Sequence, residues 1–168
     1  PGAALRPPEA PAEPRGLTGD RRWALVGPRG RLLTQRDLPR MQVIEPVWDG
    51  TLRGLRAPGL PDLDLPPEPQ GGRVPATLWG GAIGGLVVSP AAPAWLEAVL
   101  GMPCDLIALP GDADRWQEGK PFRAPLGYAD GNPYHLVTTA SVDTLGGAAR
   151  SPLDFRPNAV SYTHLTLP

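Results

Sequence analysis

Apolar and polar positions alternate along much of this chain in short runs bounded by glycine and proline, the pattern of half-buried strands. In "RRWALVGPRGRLLT", Trp23 and Leu25 fall on one face and Ala24 and Val26 on the other, while "GPRG" offers Pro28 and Gly30 where a type I turn prefers them. A hairpin is predicted there. A second strand is predicted from Gln42 to Val47, with Pro46 marking it as an edge, and the "WDG" around Asp49 and Gly50 turns it into "TLRGLRA". Pro58 to Pro75 reads as a Pro-rich connection and Ala82 to Val88 as an apolar strand. Ser89 is predicted to cap a helix with Pro90 at its first position, Gly101 as its stop, and Trp95, Leu96, Val99 and Leu100 as its buried stripe. "CDLIAL" follows as a strand, Gly111 to Ala124 as a polar loop and Tyr134 to Val137 as another strand. Ser141 opens a weak helix, because Gly146 and Gly147 are each about 1 kcal/mol less favourable there than Ala. The segment up to Arg15 reads as extended. Together these predict an α+β, β-rich fold without internal repeats or βαβ alternation.

Composition changes this picture in three places. The 21 glycines and 24 prolines approach low-complexity levels, but 41% of the 168 residues are apolar and recur in periodic runs, so a folded chain is expected. A net charge of −1 provides no field for nucleic acid or an anionic membrane, and neither is expected as a partner. Lys120 is the only lysine, so the arginine excess reflects base composition and lowers the weight of any single arginine. The one cysteine, Cys104, excludes an internal disulfide and a multi-cysteine zinc site; it fits a reducing compartment, and cytoplasmic placement is expected. It reads as a small buried hydrophobe. His135, in an apolar run, reads as a core residue. No phosphate loop or nucleophile elbow is present, and "GGAIGGL" implies only close backbone packing.

The densest motif is "GLTGDRRWALVGPRGRLLTQRDLPRM". With its Gly-Leu, its Asp-Arg-Arg-Trp, its Leu-Thr-Gln-Arg and its Pro-Arg-Met, this stretch resembles the N-terminal β-barrel part of the MOSC family. "YADGNPYHLVTTASVDTL" and "FRPN" resemble two further segments of the same family, in the same order. The resemblance implies a MOSC N-terminal β-barrel domain over 1–110 and the beginning of the MOSC catalytic β-barrel over 111–159. It also implies the molybdenum cofactor, a pterin dithiolene with a terminal phosphate (molybdopterin). Such a ligand calls for guanidinium forks and backbone N–H groups against phosphate, and for amide partners at the pterin edge. The resemblance assigns that binding to Arg21, Gly131, Asn132, Arg156 and Asn158; Gly131 can offer backbone only. Asp20 and Trp23 are expected to be structural, as an ion-pair partner and a core anchor.

In the family a cysteine downstream of "FRPN" holds the metal, and only ten residues follow that signature here. No catalytic residue and no metal ligand is therefore assigned, and the 168 residues are expected to be inactive by themselves. For the parent protein, the resemblance implies two-electron reduction of N-hydroxylated small molecules, fed by an electron-transfer partner of the ferredoxin-like or the cytochrome/flavin reductase type. The alternatives are a molybdenum cofactor sulfurase-type sulfur carrier and a non-catalytic β-barrel binding module. The last nine residues, "VSYTHLTLP" at 160–168, contain none of the Arg, Gly or Ala of the body. They resemble the conceptual translation of a transposase-end sequencing adapter, so 160–168 are expected to be non-native.

Overall fold

The computed structural model describes residues 10–118, 123–146 and 151–162. Two short strands, β1 (Ala12–Glu13) and β2 (Gly16–Leu17), precede the predicted hairpin of β3 (Trp23–Val26) and β4 (Leu32–Leu33). The hairpin turn closes as its sequence implies, with the Gly30 N–H donating to the Gly27 carbonyl at 2.9 Å. A 3-10 turn at Pro39–Val43 leads into β5 (Glu45–Trp48), β6 (Leu52–Arg56) and β7 (Leu63–Asp64), which form a three-stranded antiparallel sheet. Pro46 lies on its edge strand, the place within a sheet where a residue that cannot donate to the ladder is tolerated. Next come β8 (Arg73–Val74), β9 (Thr77–Leu78), β10 (Gly81–Ala82) and β11 (Gly85–Val87), then helix α1 (Ala92–Leu100) and β12 (Asp105–Ala108).

The main sheet runs β4-β3-β12-β11-β8, every pair antiparallel. Its two ends return to one another, because the Thr77 N–H donates to the Gly30 carbonyl at 2.7 Å and Arg31 pairs with Thr77. The sheet thus curls toward barrel closure, which removes exposed strand edges. The predicted alternation in β3 sets up two cores. Leu25, with Leu106 of β12, faces the cluster of Leu52, Leu55, Leu96 and Val99, and the half-buried Trp23 packs on the same side. Ala24 and Val26, with Ile107, face the inside of the curl among Leu32, Leu78 and Tyr128.

Helix α1 stops at Gly101, which is left-handed at φ 77°, as predicted. Its start differs from expectation. Ser89 Oγ accepts the Ala91 N–H at 3.2 Å in a local turn, and regular helix begins only at Ala92. Trp95 sits at the rim with its indole N–H on the Pro61 carbonyl at 2.7 Å, so Ala92, Leu96, Val99 and Leu100 make the fully buried stripe.

Several other expectations are corrected. The strand from Gln42 begins only at Glu45, because Pro39 nucleates a 3-10 turn first. The connection from Pro58 to Pro75 contributes two short strands, β7 and β8. The strand from Ala82 to Val88 breaks at Gly84, which is left-handed at φ 80°. The polar loop from Gly111 to Ala124 carries an antiparallel pair, β13 (Trp116–Gln117) with β14 (Ala124–Pro125), although Lys120 lies outside the described residues. The strand expected from Tyr134 is β15 (Leu136–Thr138), followed at once by α2 (Thr139–Gly146). Its cap is Thr138, whose Oγ1 accepts the Ser141 N–H at 3.1 Å, so Ser141 is the third helical residue rather than the start. Gly147 and most of the segment preceding Arg15 lie outside the described residues. His135 is exposed rather than in the core, because its backbone is turned to serve a neighbour. After a 3-10 turn at Pro152–Phe155, β16 (Ala159–Ser161) pairs in parallel with β15.

Cys104 is buried against the larger core, and desolvation pushes its thiol up to about 11, with Asp105 and Glu97 adding to the shift. Burial likewise raises the Tyr128 phenol. An unfolded thiol ionises near 9 while the folded one keeps its proton to about 11, so stability is full below pH 9 and declines as pH rises from 9 to 11. At pH 8 Cys104 should react with a disulfide reagent far more slowly in the native chain than in denaturant, as absorbance-monitored labelling would check. Ile107 is 0% exposed, and Ile107→Ala should cost about 2–5 kcal/mol by urea unfolding.

Candidate functional site

The residues singled out by motif are scattered from Asp20 to Asn158, and the fold brings four of them into one cluster. β2 ends in a tight turn, with the Asp20 N–H donating to the Leu17 carbonyl at 2.9 Å, and Asp20 and Arg21 follow at its tip. Asp20 Oδ2 accepts from Arg21 Nη1 and from Asn158 Nδ2, each at 2.6 Å. Arg21 Nη2 reaches the Arg156 carbonyl at 3.4 Å. Asn158 Oδ1 accepts the His135 N–H at 2.5 Å, and the Asn158 N–H donates back to the His135 carbonyl at 2.8 Å. Asn158 is therefore a clamp. Both ends of its amide are engaged within the protein.

Backbone conformation marks the same residues. Among the described residues only three other than glycine have positive φ: Arg21 at 49°, Arg156 at 52° and Trp79 at 52°. A side chain beyond Cβ in this region costs of order 1–3 kcal/mol, and such residues cluster at functional sites. At Arg21 the conformation is held by its own carbonyl, which accepts the Tyr128 N–H at 2.9 Å. Gly127 must be glycine beside it, because a Cβ there would stand 2.6 Å from that carbonyl oxygen.

Gly131 and Asn132 lie on the turn before Pro133. That turn abuts the Asp20 loop, since a Cβ at Gly16 would come within 2.9 Å of the Pro133 carbonyl oxygen. The Tyr134 hydroxyl donates to the Glu13 carbonyl, with the Gly16 carbonyl 3.2 Å away. Asn132 is exposed and its side chain bonds to none of the described residues; a Cβ at Gly131 would meet open space. Neither contacts Arg21 or Arg156 through a hydrogen bond.

Two arginines outside any motif brace this region. Arg15 donates to the carbonyls of Leu126 (2.8 Å) and Ala113 (2.6 Å). Arg115 donates to those of Gly127 (2.6 Å) and Ala129 (2.5 Å), and desolvation draws its guanidinium below the ordinary arginine value. Nothing local distinguishes them in a chain so rich in arginine. Only the three-dimensional path of 126–130 reveals them.

Arg22 diverges from Arg21. It pairs with Glu13 at 2.5 Å and lines a shallow cavity of about 300 Å³ with Thr18, Trp23 and Trp48. The two indoles meet edge to face at 5.9 Å, so Trp23 anchors packing as its position predicts.

Charge and donor geometry limit what the cluster can hold. Arg156 is exposed, and its guanidinium has no acceptor among the described residues. Arg21 is three-quarters buried and keeps one nitrogen on Asp20. An exposed guanidinium on a segment whose backbone touches a pre-positioned one gives this loop cluster donors of the kind an oxyanion accepts, while the Asp20 carboxylate already occupies part of Arg21. No group of three or more His, Cys, Asp or Glu side chains among the described residues could hold a metal. No helix among them is long and apolar enough to cross a membrane.

Over 159 residues the chain is 28% identical to mitochondrial amidoxime-reducing component 1 of Xenopus laevis, covering 87% of this chain and 46% of that protein. The chain thus spans about half the length of that curated relative. The solution structure of a Bordetella bronchiseptica protein is similar at a TM-score of 0.49, with 23% identity, over 56% of this chain and 75% of that one. A profile described as the MOSC N-terminal beta barrel domain matches residues 3–103, more than half of the chain. The chain belongs to the MOSC N-terminal beta barrel family.

Proposed function

We propose that this chain supplies part of the binding site for the molybdenum cofactor, in a protein that reduces N-hydroxylated small molecules. The observation that carries this reading is the meeting of two left-handed arginines 135 positions apart, Arg21 and Arg156, on one hydrogen-bonded cluster. The amidoxime-reducing name of the Xenopus laevis relative points the same way. Arg156 would pair with the cofactor's phosphate through its open guanidinium, and Arg21 would add a charge already oriented by Asp20. Asn158 orients both by holding Asp20 and the chain around His135, so its role is positioning. Gly131 and Asn132 would offer the pterin edge a backbone N–H and a side-chain amide from the adjoining turn.

When bound, the cofactor supplies two-electron chemistry, by which an N–OH group with two electrons and two protons becomes N–H and water. These residues bind and orient; no proton transfer is assigned to them. Cys104, the chain's one thiol, is buried and stays protonated at neutral pH, so it is not offered as the metal's ligand. No turnover is expected of these 168 residues alone. The electron donor of the whole protein would be a separate redox protein, of the ferredoxin-like or the cytochrome/flavin reductase type.

The test is bound pterin in chain purified from a host that makes the cofactor, measured as the fluorescent oxidation product per mole of protein. The parent should retain pterin, and Arg156→Ala should lower retention about tenfold or more, the effect of losing a charge-assisted contact. Arg29→Ala, an exposed arginine on the hairpin turn, should leave it unchanged. A parent chain free of pterin, or an Arg156→Ala variant that retains as much as the parent, would overturn the reading.

A further inference from the structure

Trp79 is the third non-glycine residue with positive φ, and no motif accounts for it. It occupies the two-residue loop between β9 and β10, where Gly81 pairs with Leu78 and the central residues Trp79 and Gly80 have φ of 52° and 80°. Positive φ at both positions is what a type I′ hairpin demands, and Asn, Asp or Gly satisfies it at the first position at far less cost than Trp. The indole does not recover that cost by burial, because it is 65% exposed. It is nevertheless fixed: its N–H donates to Asp130 Oδ1 at 3.1 Å. A tethered, largely exposed indole followed by Gly80 and Gly81 is pre-organised for stacking on a planar group.

The hairpin that carries it is joined to the candidate site. Asp130 directly precedes Gly131 on the turn described above. Two residues earlier, Tyr128 donates its hydroxyl to the Gly84 carbonyl at 3.0 Å and its N–H to the Arg21 carbonyl at 2.9 Å. Through Asp130 the indole is tied to the turn that carries Gly131 and Asn132, and Tyr128 ties the same segment to Arg21.

We propose that Trp79 is a specificity-determining residue that stacks on the planar ring of the substrate, selecting aromatic over aliphatic N-hydroxylated compounds. This rests on the function proposed above. The experiment titrates the 15N-labelled chain with benzamidoxime and, separately, acetamidoxime, following the Trp79 indole N–H resonance, which is assigned by its loss in Trp79→Phe. Benzamidoxime should shift that resonance saturably, and acetamidoxime at equal concentration should not. Trp79→Phe keeps a ring but loses the tether and should bind within about threefold of the parent, whereas Trp79→Ala should bind at least about tenfold more weakly. A role confined to pinning the hairpin would weaken both variants alike, and that result would overturn the proposal. So would an unmoved indole resonance or an equal response to the two probes. Pterin retention separates the two readings: Trp79→Ala should retain as much pterin as the parent, and loss in the parent would tell against cofactor binding while leaving the stacking result to be judged by the indole.

Discussion

One carboxylate oxygen holds the candidate site together. Asp20 Oδ2 accepts from Arg21 and from Asn158, and Asn158 passes the connection on to the backbone of His135. The three partners come from the turn before β3, the lead into β15 and the lead into β16. The two buried clusters are built chiefly from β3 to β12, α1 and Tyr128. The polar junction joins these three segments, beside the Arg15, Tyr134 and Tyr128 hydrogen bonds that also tie the second half of the chain to the first. Charge-assisted hydrogen bonds are the stronger kind, about 1.5–3 kcal/mol each.

That constraint explains why strain is tolerated. Arg21 and Arg156 both sit in the left-handed region, and each is held by neighbours on either side: Tyr128 and Asp20 for Arg21, the Arg21 guanidinium and the Asn158 clamp for Arg156. Left-handed backbone throws each side chain off the direction that an extended strand would give it. The result is one guanidinium anchored in the protein and one exposed.

Much of the fold was legible because periodicity reports burial directly. The split of β3 into Trp23 and Leu25 against Ala24 and Val26, the turn at Gly27–Gly30 and the stop at Gly101 all follow from local rules that tertiary contacts did not override. Helix starts were less legible. Ser89 and Thr138 are both capable caps, and which serine or threonine acts depends on where the chain enters the turn. His135 stands in an apolar run yet is exposed, because its backbone bonds Asn158 and the apolar pattern does not report that turn. At the site, motif resemblance pointed to Arg21, Arg156 and Asn158, but not to the difference between an open arginine, an anchored one and a clamp. Arg15, Arg115 and Trp79 carried no local signal, since their roles depend on carbonyls and a carboxylate far away in sequence.

The claim that Asp20 and Asn158 jointly hold the two arginine-bearing segments is tested most directly by a double-mutant cycle. Asp20→Ala, Asn158→Ala and the double variant are unfolded in urea beside the parent. The account predicts a coupling energy of about 1–2 kcal/mol, because either substitution already breaks the shared bond. Single-variant effects that add to within about 0.3 kcal/mol would contradict it.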